Sequence, residues 1–325
     1  MKYRKLGRTD LHVSEIAVGC SGYWGDRKFP EHKAASIIHK AFERGVNFFD
    51  TGHNYSKYNA EPRLGRILKE ILSSNDRGKL VISSKAGTTV PSLPLLPSQR
   101  KNIKDFSPDY IENACAESIR NLNCDYLDIF QLHGITESQV TEPLLERLSS
   151  MKAKGMYRYL GVNTHSELDM LFIARHPEIF DVVLIDYNVL QLDREPVINV
   201  LHEAGIGVVA GTVLAQGHLV KGKIGSIKSF ADVWYLLRAL VKLTGRRFSR
   251  NAKKMRQALS SEKMTPAQVA FAYVLDNPKI SSCVFGTTKV PNLLEIIEAT
   301  NKALDDDSKA AIRNAFNQLQ EKISA

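Results

Sequence analysis

The sequence predicts an α/β fold, a single (β/α)8 TIM barrel, on three observations. Eight short apolar, β-branched runs recur along the 325 residues. Most of them are followed by a stretch whose apolar residues keep helical spacing, and no low-complexity linker breaks the alternation. Length by itself, at ~100–200 residues per domain, suggests two domains, but single α/β barrels run past ~250 residues. Residues 1–325 are therefore read as one domain. A doubly wound sheet needs fewer strands and a glycine-rich first turn, which is absent.

The expected strands are Ile16–Val18, Asn47–Phe49, Leu80–Ser83, Leu127–Leu132, Tyr159–Val162, Val182–Ile185, Val208–Ala210 and Ser282–Phe285. Strands buried on both faces read as continuous apolar runs, as in VVLI and CVF. In EHKAASIIHKAFERG, Ala34, Ile37, Ile38, Ala41 and Phe42 line one helical face, and Gly45 follows as a C-terminal cap. Ser107 is placed to N-cap the next clear helix, with Pro108 at its first position. Thr265 and Pro266 open another, which Asn277-Pro278 stops.

Composition narrows the class. Hydrophobic residues are 43% and charged residues 24%, which suits a globular core and excludes a disordered or disulfide-stapled chain. No apolar window is long enough for a membrane span or a signal peptide, so a cytoplasmic address is expected. The net charge is +9, densest around Arg246, Arg247, Arg250, Lys253 and Lys254, with Lys221, Lys223 and Lys228 upstream. A positive field favours anionic ligands, but this cluster lacks the aromatic interleaving of a nucleic-acid surface and reads as a solvated basic loop first and a phosphate-attracting loop second. Cys20, Cys115, Cys124 and Cys283 form no C-x-x-C pair and read as reduced thiols, not zinc ligands. No metal site is expected. Gly205 and Gly207 loosely match a dinucleotide fingerprint but precede a strand instead of following one. Gly217–Ile224 approaches a P-loop yet puts Ile224 where a Mg²⁺-binding hydroxyl is required.

Barrel enzymes carry their chemistry at the C-terminal ends of the strands. The polar residues there are Asp50, Lys85, His133, Asn163, Thr212 and Thr287. Asp50, Lys85 and His133 end successive strands and can converge. Tyr55 follows Asp50 in DTGHNYSKY. A phenol is a weak acid at its free pKa of ~10, but a neighbouring ammonium favours phenolate. With Lys85 supplying that influence and His133 bonding the same substrate oxygen, the set suits protonation of an alkoxide formed from a carbonyl.

These residues carry a resemblance over nearly the whole chain to the aldo-keto reductases, in a divergent bacterial-type branch. YRKLGRTDLHVSEIAVGCSGYWG resembles the family's N-terminal β-hairpin, which plugs the barrel bottom, and its first strand. NFFDTGHNYSKYNAEPRLGRIL resembles D-T-x-x-x-Y with the following E-x-x-L-G. VISSKAG and SIRNLNCDYLDIFQLH resemble the lysine and histidine segments. The resemblance implies a tetrad of Asp50, Tyr55, Lys85 and His133, with Tyr55 as general acid. It implies NADP(H), with NAD(H) as the second option, held by Asn163, Thr212, Leu214, Gly217, Gly286, Thr287, Thr288, Lys289 and Glu295. It also places Tyr23 and Trp24 around the substrate, a packed loop edge being the other reading; His53, between Asp50 and Tyr55, reads as a substrate contact or a plain loop histidine.

The chain departs from that pattern on the nicotinamide side. The usual Ser-Asn after strand five is Asn163-Thr164, the usual Gln of strand six is Leu184, and the stacking aromatic after strand seven is Gly211. Asn292 replaces the arginine that reads the 2′-phosphate, and Ile296 the adenine-side Asn. Val220–Arg250 is expected to form a lid or specificity loop, with helix in WYLLRALVKL. The first reading is NAD(P)H-dependent reduction of a small carbonyl compound, a sugar or phosphorylated metabolite among the options. Its rivals are a redox-free lyase or isomerase on the same tetrad and a non-catalytic regulatory relative.

Overall fold

Successive side chains of a strand point to opposite faces of the sheet, and here that alternation separates two cores. The computed structural model describes residues 1–90, 103–220 and 245–324, with side chains left out for 245–250 and 322–324. The strands, in chain order, begin with the antiparallel pair β1 (Tyr3–Lys5) and β2 (His12–Ser14). Next come β3 (Ile16–Gly19), β4 (Phe48–Asp50), β5 (Val81–Ala86) and a small antiparallel pair, β6 (Thr88–Thr89) with β7 (Ile103–Lys104). Then follow β8 (Leu127–His133), β9 (Tyr157–Thr164), β10 (Val182–Asp186), β11 (Gly207–Gly211) and β12 (Ile280–Phe285). Strands β3, β4, β5, β8, β9, β10, β11 and β12 are parallel and close a barrel, β12 pairing back onto β3.

Odd and even positions divide the apolar residues. Ile16, Val18, Phe49 and Ile82 face outward into a continuous core shared with the helices. Ala17, Phe48, Val81, Ile129, Val182, Leu184 and Val209 face inward, where Leu6, Leu11 and Val13 of the β1–β2 hairpin join them. The hairpin therefore stoppers the N-terminal end. Its turn packs tightly: a Cβ on Gly7, at φ +54°, would lie 2.3 Å from the Gly207 nitrogen.

The helices are α1 (Glu31–Glu43), α2 (Ala60–Leu72), α3 (Pro108–Leu122), α4 (Glu142–Ala153), α5 (Glu167–Arg175) and α6 (Glu195–Glu203). They continue with α7 (Gly245–Ala258), α8 (Pro266–Asp276), α9 (Val290–Ala299) and α10 (Asp306–Ser324). Helix α1 buries Ala34, Ile37, Ile38 and Ala41, and Gly45 just beyond it takes φ +83°. Thr265 caps α8 in a reciprocal capping box with Gln268.

Two expectations need correction. Ser107 stands at the N-cap of α3 but makes no capping bond; its hydroxyl donates to Asp105 Oδ1 at 2.7 Å, the shorter local option. Strands β5, β8 and β9 also run further than expected, through Lys85, His133 and Asn163-Thr164. The inter-strand ladder uses backbone groups only, so polar side chains at its end do not stop it. Most of the lid expected over Val220–Arg250, with its WYLLRALVKL helix, lies in 221–244, outside the described residues, as do Lys221, Lys223, Lys228 and the side chains of Arg246, Arg247 and Arg250; the backbone of 245–250 opens α7. Among the described residues, no helix is long and apolar enough to cross a membrane.

Candidate active site

The inward register that fills the barrel bottom with apolar groups carries on to its mouth with polar ones. Two residues beyond Phe48 comes Asp50; four beyond Val81 comes Lys85; two and four beyond Ile129 come Gln131 and His133. Lys85 Nζ donates to both Asp50 oxygens, at 2.6 and 2.8 Å, with side-chain exposures of 1% and 5%. Two charges this far out of water are tolerable only when paired and hydrogen-bonded. Gln131 adds to the bonding: its amide nitrogen reaches Asp50 Oδ1 at 3.0 Å and Ser83 Oγ at 2.6 Å.

Tyr55 closes over this pair from the loop after β4. The Lys85 ammonium lies 5.4 Å from the Tyr55 ring centroid, and the His133 ring meets Tyr55 edge-on at 5.6 Å and 81°. Gly52 makes the approach possible, because a Cβ there would sit 2.9 Å from Lys85 Cγ and 3.2 Å from Tyr55 Cε1. Residues Ser56, Lys57 and Tyr58 follow with φ of 53°, 56° and 63°. Such left-handed backbone costs non-glycine residues energy, so the surroundings must hold it. The Ser56 hydroxyl donates to the Gly22 carbonyl and Asn59 to the Gly25 carbonyl, at 2.8 and 2.7 Å.

Burial, then the charges of Lys85, Lys104 and His165, push the His133 pKa down to about 3. The ring is thus neutral at physiological pH. Its Nδ1 is buried without a hydrogen-bond partner, so a neutral imidazole is the less costly state. Tyr55, Lys85, Asp50 and His133 are therefore brought together as expected from the sequence. They form a neutral imidazole and a phenol beside a buried ammonium.

The aromatic residues expected around the substrate have other partners. Trp24 is 1% exposed within the outer core, and its indole N–H donates to the Ala34 carbonyl at 3.2 Å. Tyr23 packs on Phe29 with ring centroids 5.6 Å apart. His53 turns toward α3, with Nε2 3.0 Å from Glu117 Oε2 and its ring edge-on to Tyr58 at 5.1 Å. Cys20 is fully buried beside Asp50, and burial raises its thiol pKa well above the usual value.

On the β9–β11 side the inward positions are Asn163, Leu184, Asp186 and Gly211. The Asn163 amide donates to the Leu184 carbonyl at 3.2 Å. Leu184 leans toward Gly211, where a Cβ would lie 3.2 Å from Leu184 Cδ2. The Thr212 hydroxyl donates to Asp186 Oδ1 at 3.0 Å, and His165 Nδ1 is 2.7 Å from Asp186 Oδ2. Burial pulls the Asp186 pKa up, but the bonds from His165 and Thr212 prevail and hold it below its usual value. Leu214, half-buried, opens the short turn to Gly217, which takes φ +92°.

Next to them, after β12, which pairs with β11, Gly286, Thr287, Thr288 and Lys289 lead into α9. Thr287 Oγ1 accepts from the Lys289 amide at 3.2 Å, while no side chain caps the helix itself. An uncapped helix N-terminus presents N–H donors and a positive dipole end, a fit for a phosphate. Glu295 is engaged elsewhere, accepting from Thr265 Oγ1 at 2.5 Å.

Gln131, Gly52, Asp186 and His165 were not singled out from the sequence. Gln131 and Asp186 were within reach, since each sits in an inward register position already counted for its neighbours. Gly52 and His165 depend on tertiary approach, which leaves no local signal.

A closed barrel with this set of groups at its mouth defines a carbonyl oxidoreductase. The Aldo/keto reductase family model matches residues 15–317, and the chain belongs to that family. It is thus an NAD(P)H-dependent oxidoreductase of carbonyl compounds. Among similar proteins is an uncharacterized oxidoreductase, YqkF, of Bacillus subtilis, 28% identical and covering 98% of this chain and 97% of its own. The L-glyceraldehyde 3-phosphate reductase of Escherichia coli is 25% identical over 93% of this chain and 88% of its own. Among solved structures, the holo form of aldo-keto reductase AKR11C1 from Bacillus halodurans superposes with a TM-score of 0.74. It is 23% identical and covers 97% of this chain and 96% of that one, a likeness that speaks to the fold alone.

Proposed function

We propose that the protein reduces the carbonyl of a small aldehyde or ketone to an alcohol, with Tyr55 as the proton donor and NADPH preferred over NADH. The observation that carries this reading is the buried Lys85–Asp50 pair beneath the Tyr55 ring. NADPH, when bound, supplies the hydride. The chain's own groups do the rest. The phenol of Tyr55 gives its proton to the developing alkoxide, and the Lys85 ammonium stabilises the phenolate left behind. Asp50, itself held by the Gln131 amide, aims the Lys85 ammonium. His133, neutral, donates a hydrogen bond to the carbonyl oxygen and orients it without delivering a second charge.

The uncapped start of α9, with Thr287, Thr288 and Lys289, fits the adenosine phosphate, and Lys289 favours the 2′-phosphorylated cofactor. Gly286, Asn163, Thr212, Leu214 and Gly217 would line the remaining length. Leu184 has no hydrogen bond to give a carboxamide and Gly211 no ring to stack on it, so the nicotinamide is held loosely. Residues 1–325 act as one catalytic unit on small molecules. The unpaired Cys20, Cys115, Cys124 and Cys283 suit a reducing, cytoplasmic setting. Aldehyde-dependent consumption of NADPH by the purified protein tests the reading. Consumption that leaves the aldehyde unreduced, or none across short aldehydes, ketones and aldoses, overturns it.

A further inference from the structure

Lys104 brings a second cation to the mouth of the barrel, and among the described residues no carboxylate is paired with it. Its Nζ donates to Thr88 Oγ1 at 2.7 Å and to the backbone carbonyl of His133. Both acceptors are neutral. An ammonium has three N–H donors, so one remains beyond the partners found among the described residues, on a residue that is still solvent-exposed. Gly134 makes room for it: at φ +72°, a Cβ there would lie 2.6 Å from the Lys104 Nζ.

The acidic groups nearby are otherwise committed. Asp105, next in the chain, accepts from the Ser107 amide and hydroxyl at 2.9 and 2.7 Å. Asp50 belongs to Lys85, and Asp186 to His165 and Thr212. Among the described residues, no carboxylate lies within ion-pair distance of Lys104, and the adjoining 91–102 segment contains no acidic residue in its sequence. Burial lowers the Lys104 pKa with no acid acting to raise it. Among the described residues at the mouth, the Asp50 and Asp186 carboxylates are thus engaged by other groups, and the Lys104 ammonium has no acidic partner. That cation is bonded to the main chain of the residue whose imidazole faces the reacting carbonyl.

We infer that Lys104 is a specificity-determining residue that takes an anionic group, phosphate or carboxylate, on the carbonyl substrate. The assignment rests on the reductase reading above. Because the Lys104 ammonium is bonded to the His133 main chain and its charge reaches the His133 ring, the substrate is compact, its anion a few bonds from its carbonyl. A partly desolvated ammonium gains most from an ionised partner, because charge-assisted bonds are the strong ones.

The test compares kcat/KM for glyceraldehyde 3-phosphate and succinic semialdehyde with that for uncharged glyceraldehyde and butanal. In the wild type, either anionic aldehyde should be preferred. Lys104→Gln should cut the anionic-to-neutral ratio about tenfold or more, and Lys104→Arg should keep it. A ratio unchanged in Lys104→Gln overturns the inference. So does an equal loss on all four substrates, which would make Lys104 a strut for the His133 backbone. Calorimetric titration with glycerol 3-phosphate, which carries no carbonyl, decides the matter apart from turnover. Binding weakened about tenfold or more by Lys104→Gln supports the assignment; equal binding, or none to the wild type, overturns it. Absence of turnover on every aldehyde would instead sink the reductase reading, with the titration still deciding Lys104.

Discussion

The two halves of the barrel mouth share one register but not one kind of lining. On the β4, β5 and β8 side, each inward position at the mouth is polar, and most are bonded to one another: Asp50, Ser83, Lys85 and Gln131 make a closed network beneath Tyr55 and His133. On the β9–β11 side, the corresponding positions include Leu184 and Gly211, and the Asn163 amide is turned to a backbone carbonyl. The groups proposed to handle the proton are therefore bonded together before any ligand arrives, while on the side proposed for the nicotinamide the polar Asn163 and Asp186 are bonded to their own neighbours beside Leu184 and Gly211. Preorganised polar groups in a dry site are where rate acceleration originates, and loosely lined space sets affinity.

The largest effect should come from breaking the proton side. Tyr55→Phe removes the acid and should lower turnover by about 10²-fold or more, leaving dinucleotide binding nearly unchanged, as steady-state kinetics and a titration would report. A variant that keeps most of its turnover would remove Tyr55 from the chemistry.

Lys85→Met attacks the same side through stability. It leaves the Asp50 carboxylate buried with only the Gln131 amide for company, and breaking such a pair costs about 3–5 kcal/mol. Denaturant melts should show that loss, and Lys85→Met combined with Asp50→Asn should recover part of it. In whatever folded Lys85→Met protein remains active, the high-pH limb of reduction should move upward, since Tyr55 loses its cationic neighbour. An unchanged melt would mean the pair is far more hydrated than its 1% and 5% exposures indicate.

The opposite side should respond to repair. Restoring a hydrogen-bonding amide and a ring in Leu184→Gln with Gly211→Tyr adds one neutral bond and one stack, each ~0.5–1.5 kcal/mol. Dinucleotide binding should tighten roughly tenfold to a hundredfold. The two changes belong together, because a side chain at 211 meets Leu184 first. No tightening in the pair would show that the nicotinamide is anchored elsewhere.

A further effect concerns acid stability. His133 titrates at about 3 when folded, against 6.5 for the free side chain. Between those values the unfolded chain binds the extra proton, so stability rises with pH there, by at most about 1.4 kcal/mol per pH unit from this group. The contribution is complete above 6.5 and fades as pH falls toward 3. His133→Gln should flatten that part of the stability profile; an unaltered slope would mean the ring is not neutral in the fold.

The sequence showed most of the proton side and little of the other. Apolar runs marked all eight barrel strands, and the inward period of two put Asp50, Lys85 and His133 in line. That period also reaches Gln131 and Asp186, in LDIFQLH and VVLID. The orientation of Trp24 and His53 was not legible. Each depends on a helix remote in sequence, α1 for the Trp24 indole and α3 for the His53 imidazole. Lys104 was invisible for a similar reason, since its significance lies in bonds to Thr88 and His133.

The contrast between the two sides can be measured in one comparison, the affinity of NADPH against that of 2′,5′-ADP, which shares the adenosine phosphates but lacks the nicotinamide. If the phosphates at the start of α9 supply most of the binding, the two should agree within about tenfold. NADPH binding a thousandfold more tightly would contradict the account, because a strong nicotinamide clamp would then exist where Leu184 and Gly211 stand.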